Sequence, residues 1–489
     1  MARDEPYLDK PHLLFWLAAL CFKLFGVTDL AYRLPSLLFS ALGVYATARL
    51  GRLLYSAEVG RLAALILASA FAFILANSDV RMDAMLTACI IFATWQLAEW
   101  VKSQHWRHLT LAALGLALGL ATKGMVGVVM PGIAIFMYLL YRRDWARLFD
   151  WRWLLLAALM LVFALPLLYA YYQQFGFKGV SFILWSQSFE RMAGERFSNN
   201  SASDHLFFIH TLFWAFLPWS LLSFWAAGAR IKALVQQGLK PRPGVEFLTL
   251  GTLLLMFVLI SSSRFKLPHY LNILFPLLAI LVAAWLQPRL AAGHLRGVWW
   301  LQGLAIGLLL ILGLTINLAW FPPEGWAVPI IALGLLGLGL WWWRSSDKTQ
   351  GPIIASLVTA AVFNFLLNAN FYPQLLQYQA GTSLGQIAKT QIGPEERLAY
   401  LEGDAKAWSF DFNTAQIIPT LGLAEIADTK TPHVLYLSER GLERLTEAGL
   451  KPEVLAQAVD YRVSRLGLKF LRPETRPLQL KTLYLVRVR

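Results

Sequence analysis

Residues 77–101 read NSDVRMDAMLTACIIFATWQLAEWV, a charged opening followed by an apolar run from Ala84 to Val101. A run of that length suits a helix crossing a hydrocarbon core about 30 Å thick, which takes roughly 20 residues at 1.5 Å each. The carboxylate of Asp83 stands where such a helix would begin. It can cap the first turn or complement the helix dipole, and it can also face a polar site at the end of the span.

The rest of the chain repeats the pattern. Of 489 residues, 57% are hydrophobic and 15% charged, with 20 Trp, which lies far outside the soluble globular range. About twelve apolar windows can be laid along the sequence. They fall near residues 33–55, 60–77, 83–101, 107–122, 124–142, 153–173, 207–228, 245–262, 270–287, 297–318, 327–344 and 352–369. Residues 12–25 are shorter and carry Lys23, so they are expected to lie in the interface after Pro11. The fold class expected is mostly α: a polytopic membrane helical bundle with a small C-terminal soluble α/β domain.

The net charge of +14 comes largely from bases in short loops, so no nucleic-acid partner is implied. Basic residues fill alternate loops: Arg49 to Arg61, Lys102 and Arg107, Arg142 to Arg152, Arg230 to Arg242, Arg289 and Arg296, then Arg344 and Lys348. The positive-inside rule makes these cytoplasmic. The N-terminus, residues 78–82, 174–206, 263–269 and 319–326, and everything after 370 are then expected on the outer side. Cys21 and Cys89 sit in apolar surroundings and read as buried small hydrophobes.

Three regions follow: 1–32, a periplasmic loop remnant with the interfacial helix; 33–371, the transmembrane domain; and 372–489, a periplasmic α/β domain. In the last, RLAYLEG, HVLYLS and LKTLYLVRV alternate with helical stretches such as ERGLERLTEAG.

Four stretches bring polar groups to the expected outer side: Tyr7, Asp9 and Lys10; Arg81 and Asp83; Glu190, Arg191, Glu195 and Arg196; and Arg264, Lys266, His269 and Tyr270. Taken separately they are snorkelling bases, an interfacial Tyr, a rigid turn and solvated loop charges. Taken together they suit transfer of a group from a lipid phosphate. Lys10, Lys266, Arg191, Arg264 and a phenol would hold the phosphate leaving group, while Asp83 and Asp9 assist the nucleophile, orient the cations or hold a metal. Arg81 stands beside Asp83 as a further contact for the anionic substrate.

The stretches PYLDKPHLLFWLAALCFKLFGVTDLAYRLPS, RMDAMLT, GLATKG, FLPWSLL and KLPHYLNILFPLLA, in this order, resemble the bacterial aminoarabinose transferase and protein-mannosyltransferase group of polytopic, GT-C type glycosyltransferases. The resemblance runs over essentially the whole chain. It implies an inner-membrane enzyme that moves a sugar, on the periplasmic side, from an undecaprenyl-phosphate carrier to a lipid A-like lipid, a glycan or a protein. It also implies that Tyr7, Lys10, Tyr270 and Arg191 cradle the carrier phosphate and that Asp83 is an active-site carboxylate. Asp9 stands where some members place a Glu that helps to bind zinc. Ser188 replaces their metal-binding His, so a zinc site is not carried over, and His205 and His210 nearby are ordinarily structural.

Family members carry one further span and a catalytic loop acid before this motif, and the resemblance implies that this segment is missing here, with Asp4 and Glu5 as neighbouring acids. Two other classes stay open on the sequence: a transporter or flippase of lipid-linked sugars, and an inactive truncated relative. Transporter sites tend to lie at mid-membrane on broken helices with repeat symmetry. Here the ionisable residues cluster at span ends.

Overall fold

The structure, a computed structural model, describes residues 10–78, 82–190, 204–238, 240–241, 246–393, 395–428 and 431–488. Tyr7, Asp9 and Arg81 lie outside the described residues, as do Arg191, Glu195 and Arg196. The chain forms two compact units. One comprises Tyr7–Leu309 with Leu336–Ala361, the other Leu310–Leu335 with Val362–Arg489.

The first unit opens with nine helices: α1 (Leu13–Phe25), α2 (Asp29–Leu54), α3 (Ala57–Ser69), α4 (Phe71–Ser78), α5 (Met82–Ser103), α6 (Trp106–Lys123), α7 (Val126–Arg142), α8 (Trp145–Leu148) and α9 (Arg152–Ser181). Their starts follow from local chemistry. Thr28 caps α2 by accepting from Ala31 N at 3.2 Å, with Asp29 at the positive end of the dipole, and Ser56 caps α3. α5 is buried almost throughout and packs between α2 and α6. Its polar groups are satisfied inside the bundle: Thr87 and Thr94 donate to the carbonyls four residues back, and Gln96 pairs with His108 of α6 at 2.7 Å.

Among the described residues seven helices are long and apolar enough to cross a membrane, by length and composition: Asp29–Leu54, Met82–Ser103, Trp145–Gln187, Pro268–Ala291, Arg296–Trp320, Ala327–Ser345 and Lys348–Leu376. The count becomes eight if α3 and α4 form one bent span, and Leu13–Phe25, Val126–Arg142 and Leu248–Ser261 are shorter apolar helices. Two expected spans are broken. The window at 60–77 bends by 54° between α3 and α4, and the window at 207–228 divides into helices Phe207–Ala215 and Ser220–Gln236 around a cis Leu217–Pro218 bond. The breaks satisfy each other. Phe71 N donates to Leu217 O at 3.0 Å, and Trp219 Nε1 donates to Ser69 Oγ at 2.9 Å. Backbone groups freed inside a bundle need such partners, which periodicity along one segment does not show.

The second unit carries a five-stranded mixed sheet of β1 (Arg397–Leu401), β2 (Thr420–Leu421), β3 (His433–Ser438), β4 (Glu453–Asp460) and β5 (Lys481–Val488). The spatial order is β2-β1-β3-β5-β4, with β1 parallel to β2 and β3, and β5 antiparallel to β3 and β4. Alternation along the strands gives the sheet two buried faces. Tyr400, Tyr436 and Leu485 pack on one, and Leu401, Leu437 and Val486 on the other. Within the same unit Arg476 lies 4.1 Å from the Phe321 ring centroid and donates to Trp320 O, tying the sheet region to the turn before helix Ala327–Ser345.

Candidate active site

Asp83 occupies the first turn of α5 and is 4% exposed. Lys123 is the last residue of α6, and Gly124, at φ 74°, reverses the chain towards α7 immediately after it. Two helices that begin and end at the same side of the bundle thus face an acid and a base towards each other. Lys123 Nζ donates to Asp83 Oδ1 at 2.6 Å. An isolated charge at that depth would be costly, so each group makes the other tolerable.

A third element completes the cluster. Pro268–Leu274 is a 3₁₀ turn leading into helix Phe275–Ala291, and it places Tyr270 so that Lys123 Nζ lies 4.7 Å from its ring centroid. The ammonium is therefore held between a carboxylate and an aromatic face. His269, one residue earlier, brings Nε2 to 3.8 Å from the other carboxylate oxygen of Asp83.

Asp83, Lys123 and Tyr270 line a cavity of about 200 Å³, joined by Gln187. Gln187 comes from a π-helical segment, Phe182–Glu190, that follows α9. α9 breaks its own geometry at Gly176, φ 60°, a conformation that glycine adopts without strain. The other walls are apolar apart from Ser263, and include Met125, Val126 and Val129 at the start of α7, and Met256, Leu259 and Ile260 of helix Leu248–Ser261. One end of the cavity thus offers a cation, a phenol and a carboxylate, and the walls offer hydrocarbon. That combination suits an anionic head group on an apolar tail.

The remaining expected site residues divide. Lys10 is half-buried, and its backbone carbonyl accepts from Tyr171 OH at 2.8 Å, while the His12 ring lies 4.4 Å from that of Tyr171. Leu13 and Leu14 of α1 share an apolar cluster with Met85, Leu120, Ala121, Phe182 and Ile183. The start of α1 is thereby fixed to the same ends of α5, α6 and α9 that carry the site. Lys266 is 1% exposed but does not line the cavity; its ammonium donates to Asp204 O at 2.8 Å. Arg264 is exposed at the surface. Tyr7, Asp9, Arg81 and Arg191 fall outside the described residues.

His210 is engaged structurally. Its Nε2 lies 2.8 Å from Asp204 Oδ2, and that hydrogen bond holds the Asp204 carboxyl below the usual carboxylate range. Among the described residues no group of three His, Cys, Asp or Glu side chains could hold a metal ion, and Asp9 lies outside those residues. Lys123 and Gln187 are the site residues that sequence reasoning passes over. The signal for Lys123 was a single base between two apolar runs, ahead of a glycine.

Comparison with known proteins follows the same lines. Residues 9–170 match the model of a family described as dolichyl-phosphate-mannose-protein mannosyltransferase. The undecaprenyl phosphate-alpha-4-amino-4-deoxy-L-arabinose arabinosyl transferase of Pseudomonas aeruginosa is 30% identical over 375 residues, covering 73% of this chain and 65% of that protein. The enzyme of the same name from Edwardsiella ictaluri is 27% identical over 291 residues, covering 58% of this chain and 50% of that one. The chain therefore spans less than two thirds of the length of these relatives. The crystal structure of ArnT from Cupriavidus metallidurans bound to undecaprenyl phosphate matches with a TM-score of 0.74, over 99% of this chain and 89% of that one, at 17% identity. The chain is thus similar in sequence, over part of their length, to aminoarabinose transferases, and similar in fold to one of known structure.

Proposed function

We propose that the protein is a membrane glycosyltransferase that moves a sugar from a polyprenyl-phosphate carrier to a lipid, glycan or protein acceptor. The reaction is placed at the periplasmic face of a bacterial inner membrane. The observation that carries this reading is the Asp83, Lys123 and Tyr270 cluster at one end of an apolar-walled cavity. The names of the relatives make an undecaprenyl-phosphate aminoarabinose the first donor to try.

In this mechanism the isoprenoid tail lies along Met125, Val129, Leu259 and Ile260, and the phosphate meets Lys123 and the Tyr270 hydroxyl. Lys10, and Tyr7 and Arg191 beyond the described residues, are assigned to the same phosphate. The bond between the anomeric carbon and the phosphate oxygen breaks, its electron pair stays on the phosphate, and the cations stabilise the growing charge. The acceptor oxygen forms the new bond from the opposite face. A phosphate acceptor attacks as an anion; a hydroxyl acceptor gives its proton to a carboxylate, for which Asp83 is the candidate and Asp9 the alternative. Asp83 also holds Lys123 in position, so its loss removes two contributions at once. No step is routed through a metal.

The experiment is transfer in proteoliposomes with a radiolabelled undecaprenyl-phosphate sugar. Label appearing on an added lipid or protein acceptor supports the reading. Label crossing the bilayer while still attached to the carrier would identify a flippase instead.

A further inference from the structure

We propose that the Gln187 carboxamide recognises hydroxyl groups on the sugar of the carrier lipid, an inference that rests on the function proposed above. Gln187 is 4% exposed, and among the described residues neither Oε1 nor Nε2 has a hydrogen-bond partner. Asn272 Oδ1 and Gln302 Oε1 likewise have no partner among the described residues, but several buried amides are engaged through at least one atom. Gln96 pairs with His108, Gln302 Nε2 with Ser356, and Asn370 Nδ2 with Asn317 and Phe321 O. Burying a carboxamide without partners is unfavourable, so something that enters and meets its donors and acceptor is favoured there. Gln187 lines the same cavity as Asp83, Lys123 and Tyr270, which names where that something sits.

The chemistry of the amide narrows the class of occupant. It sets one acceptor oxygen beside two N–H donors. A phosphate would use the donors and face the oxygen with like charge, a cation would use only the oxygen, and an isoprenoid would use neither. Neighbouring sugar hydroxyls, each both donor and acceptor, use both. The cavity, about 200 Å³, is also far larger than a single buried water requires. Lys123 then answers the anionic part of the head group and Gln187 the neutral part.

The test compares wild-type full-length protein with Gln187→Met, which keeps the length of the side chain and removes the amide. Two probes are used: decaprenyl phosphate without a sugar, and a panel of decaprenyl-phosphate hexoses and pentoses with their ring-deoxy analogues. The variant is expected to bind the sugar-free lipid within about twofold of wild type and the best sugar-bearing lipid roughly tenfold more weakly or worse. Deleting the hydroxyl that meets Gln187 should make the two proteins bind alike. Thermal unfolding of the ligand-free variant should not fall below wild type, because no protein partner among the described residues is lost. Equal weakening of both lipids, no weakening of either, or a marked fall in the unfolding temperature would overturn the proposal. Failure of wild type to bind decaprenyl phosphate at all would overturn the proposed function with it.

Discussion

Lys123 Nζ stands 2.6 Å from Asp83 Oδ1 although the two residues are 40 positions apart, one at the end of α6 and the other at the start of α5. Both side chains are largely withdrawn from solvent, 16% and 6% exposed. Removing one charge leaves the other buried without its partner, which typically costs about 3–5 kcal/mol. Lys123→Met and Asp83→Asn should therefore each lower the unfolding temperature in detergent. The double variant should recover much of the loss, since nothing charged is left stranded. Additive losses in this cycle would mean that the two groups are stabilised by other neighbours.

Tyr270 offers two separable contributions. Its ring faces the Lys123 ammonium at 4.7 Å, and the proposed mechanism assigns its hydroxyl to the substrate phosphate. Tyr270→Phe keeps the ring, so stability should stay near wild type while transfer falls roughly 10²-fold, the scale of one preorganised electrostatic contact. Tyr270→Leu should lower both. Full activity in the Phe variant would assign the residue to packing alone.

Lys10 is held by its main chain, because Tyr171 donates to its carbonyl oxygen. Lys10→Ala keeps that anchor and removes only the ammonium. Transfer is expected to fall by about 10²-fold without a change in folding. Tyr171→Phe, with the Lys10 side chain intact, should loosen the segment and raise KM for the lipid donor. An unchanged rate in Lys10→Ala would remove that ammonium from the site.

The helices were legible in the sequence because an apolar run long enough to cross a bilayer has few other folded uses, and α2, α5 and α9 lie over the expected windows. The alternating runs of β1, β3 and β5 were legible for the same kind of reason. β4, EVLAQAVD, was not, since its mixed composition carries no clear period. Asp83 and Tyr270 could be picked out as polar groups at span ends. Their meeting with Lys123 could not, because it depends on how α5, α6 and the 268–274 turn pack together. Lys266, a base beside the KLPHY turn that reads as a phosphate ligand, has its ammonium donating to Asp204 O, a contact that the sequence does not show. The breaks at Ala70 and Leu217 are equally tertiary, each resting on a partner nearly 150 residues away in sequence.

Asp460, at the end of β4, supplies a pH dependence outside the helical bundle. Burial raises its pKa above the ordinary aspartate value, against the pull of its hydrogen bond from Ala380 N and of the Lys481 charge. The folded state therefore binds the proton more tightly than the unfolded state. Stability of the sheet region should fall as pH rises from the ordinary Asp range through the raised folded value, and return on acidification across the same window. Asp460→Asn, which keeps the acceptor oxygen for Ala380, should flatten that dependence. Hydrogen exchange at the Ala380 amide in the full-length protein reads the effect; exchange that ignores pH in wild type, after correction for intrinsic rates, would refute it.

In the proposed function the buried Lys123 ammonium, set by Asp83 and Tyr270, grips the phosphate of a polyprenyl carrier. The most direct test of this is the affinity of decaprenyl phosphate for purified wild-type protein and for the Asp83→Asn/Lys123→Met double variant, whose fold the first prediction expects to survive. The double variant is expected to bind at least about tenfold more weakly, consistent with loss of a charge-assisted contact. Equal affinity in a folded double variant would contradict it.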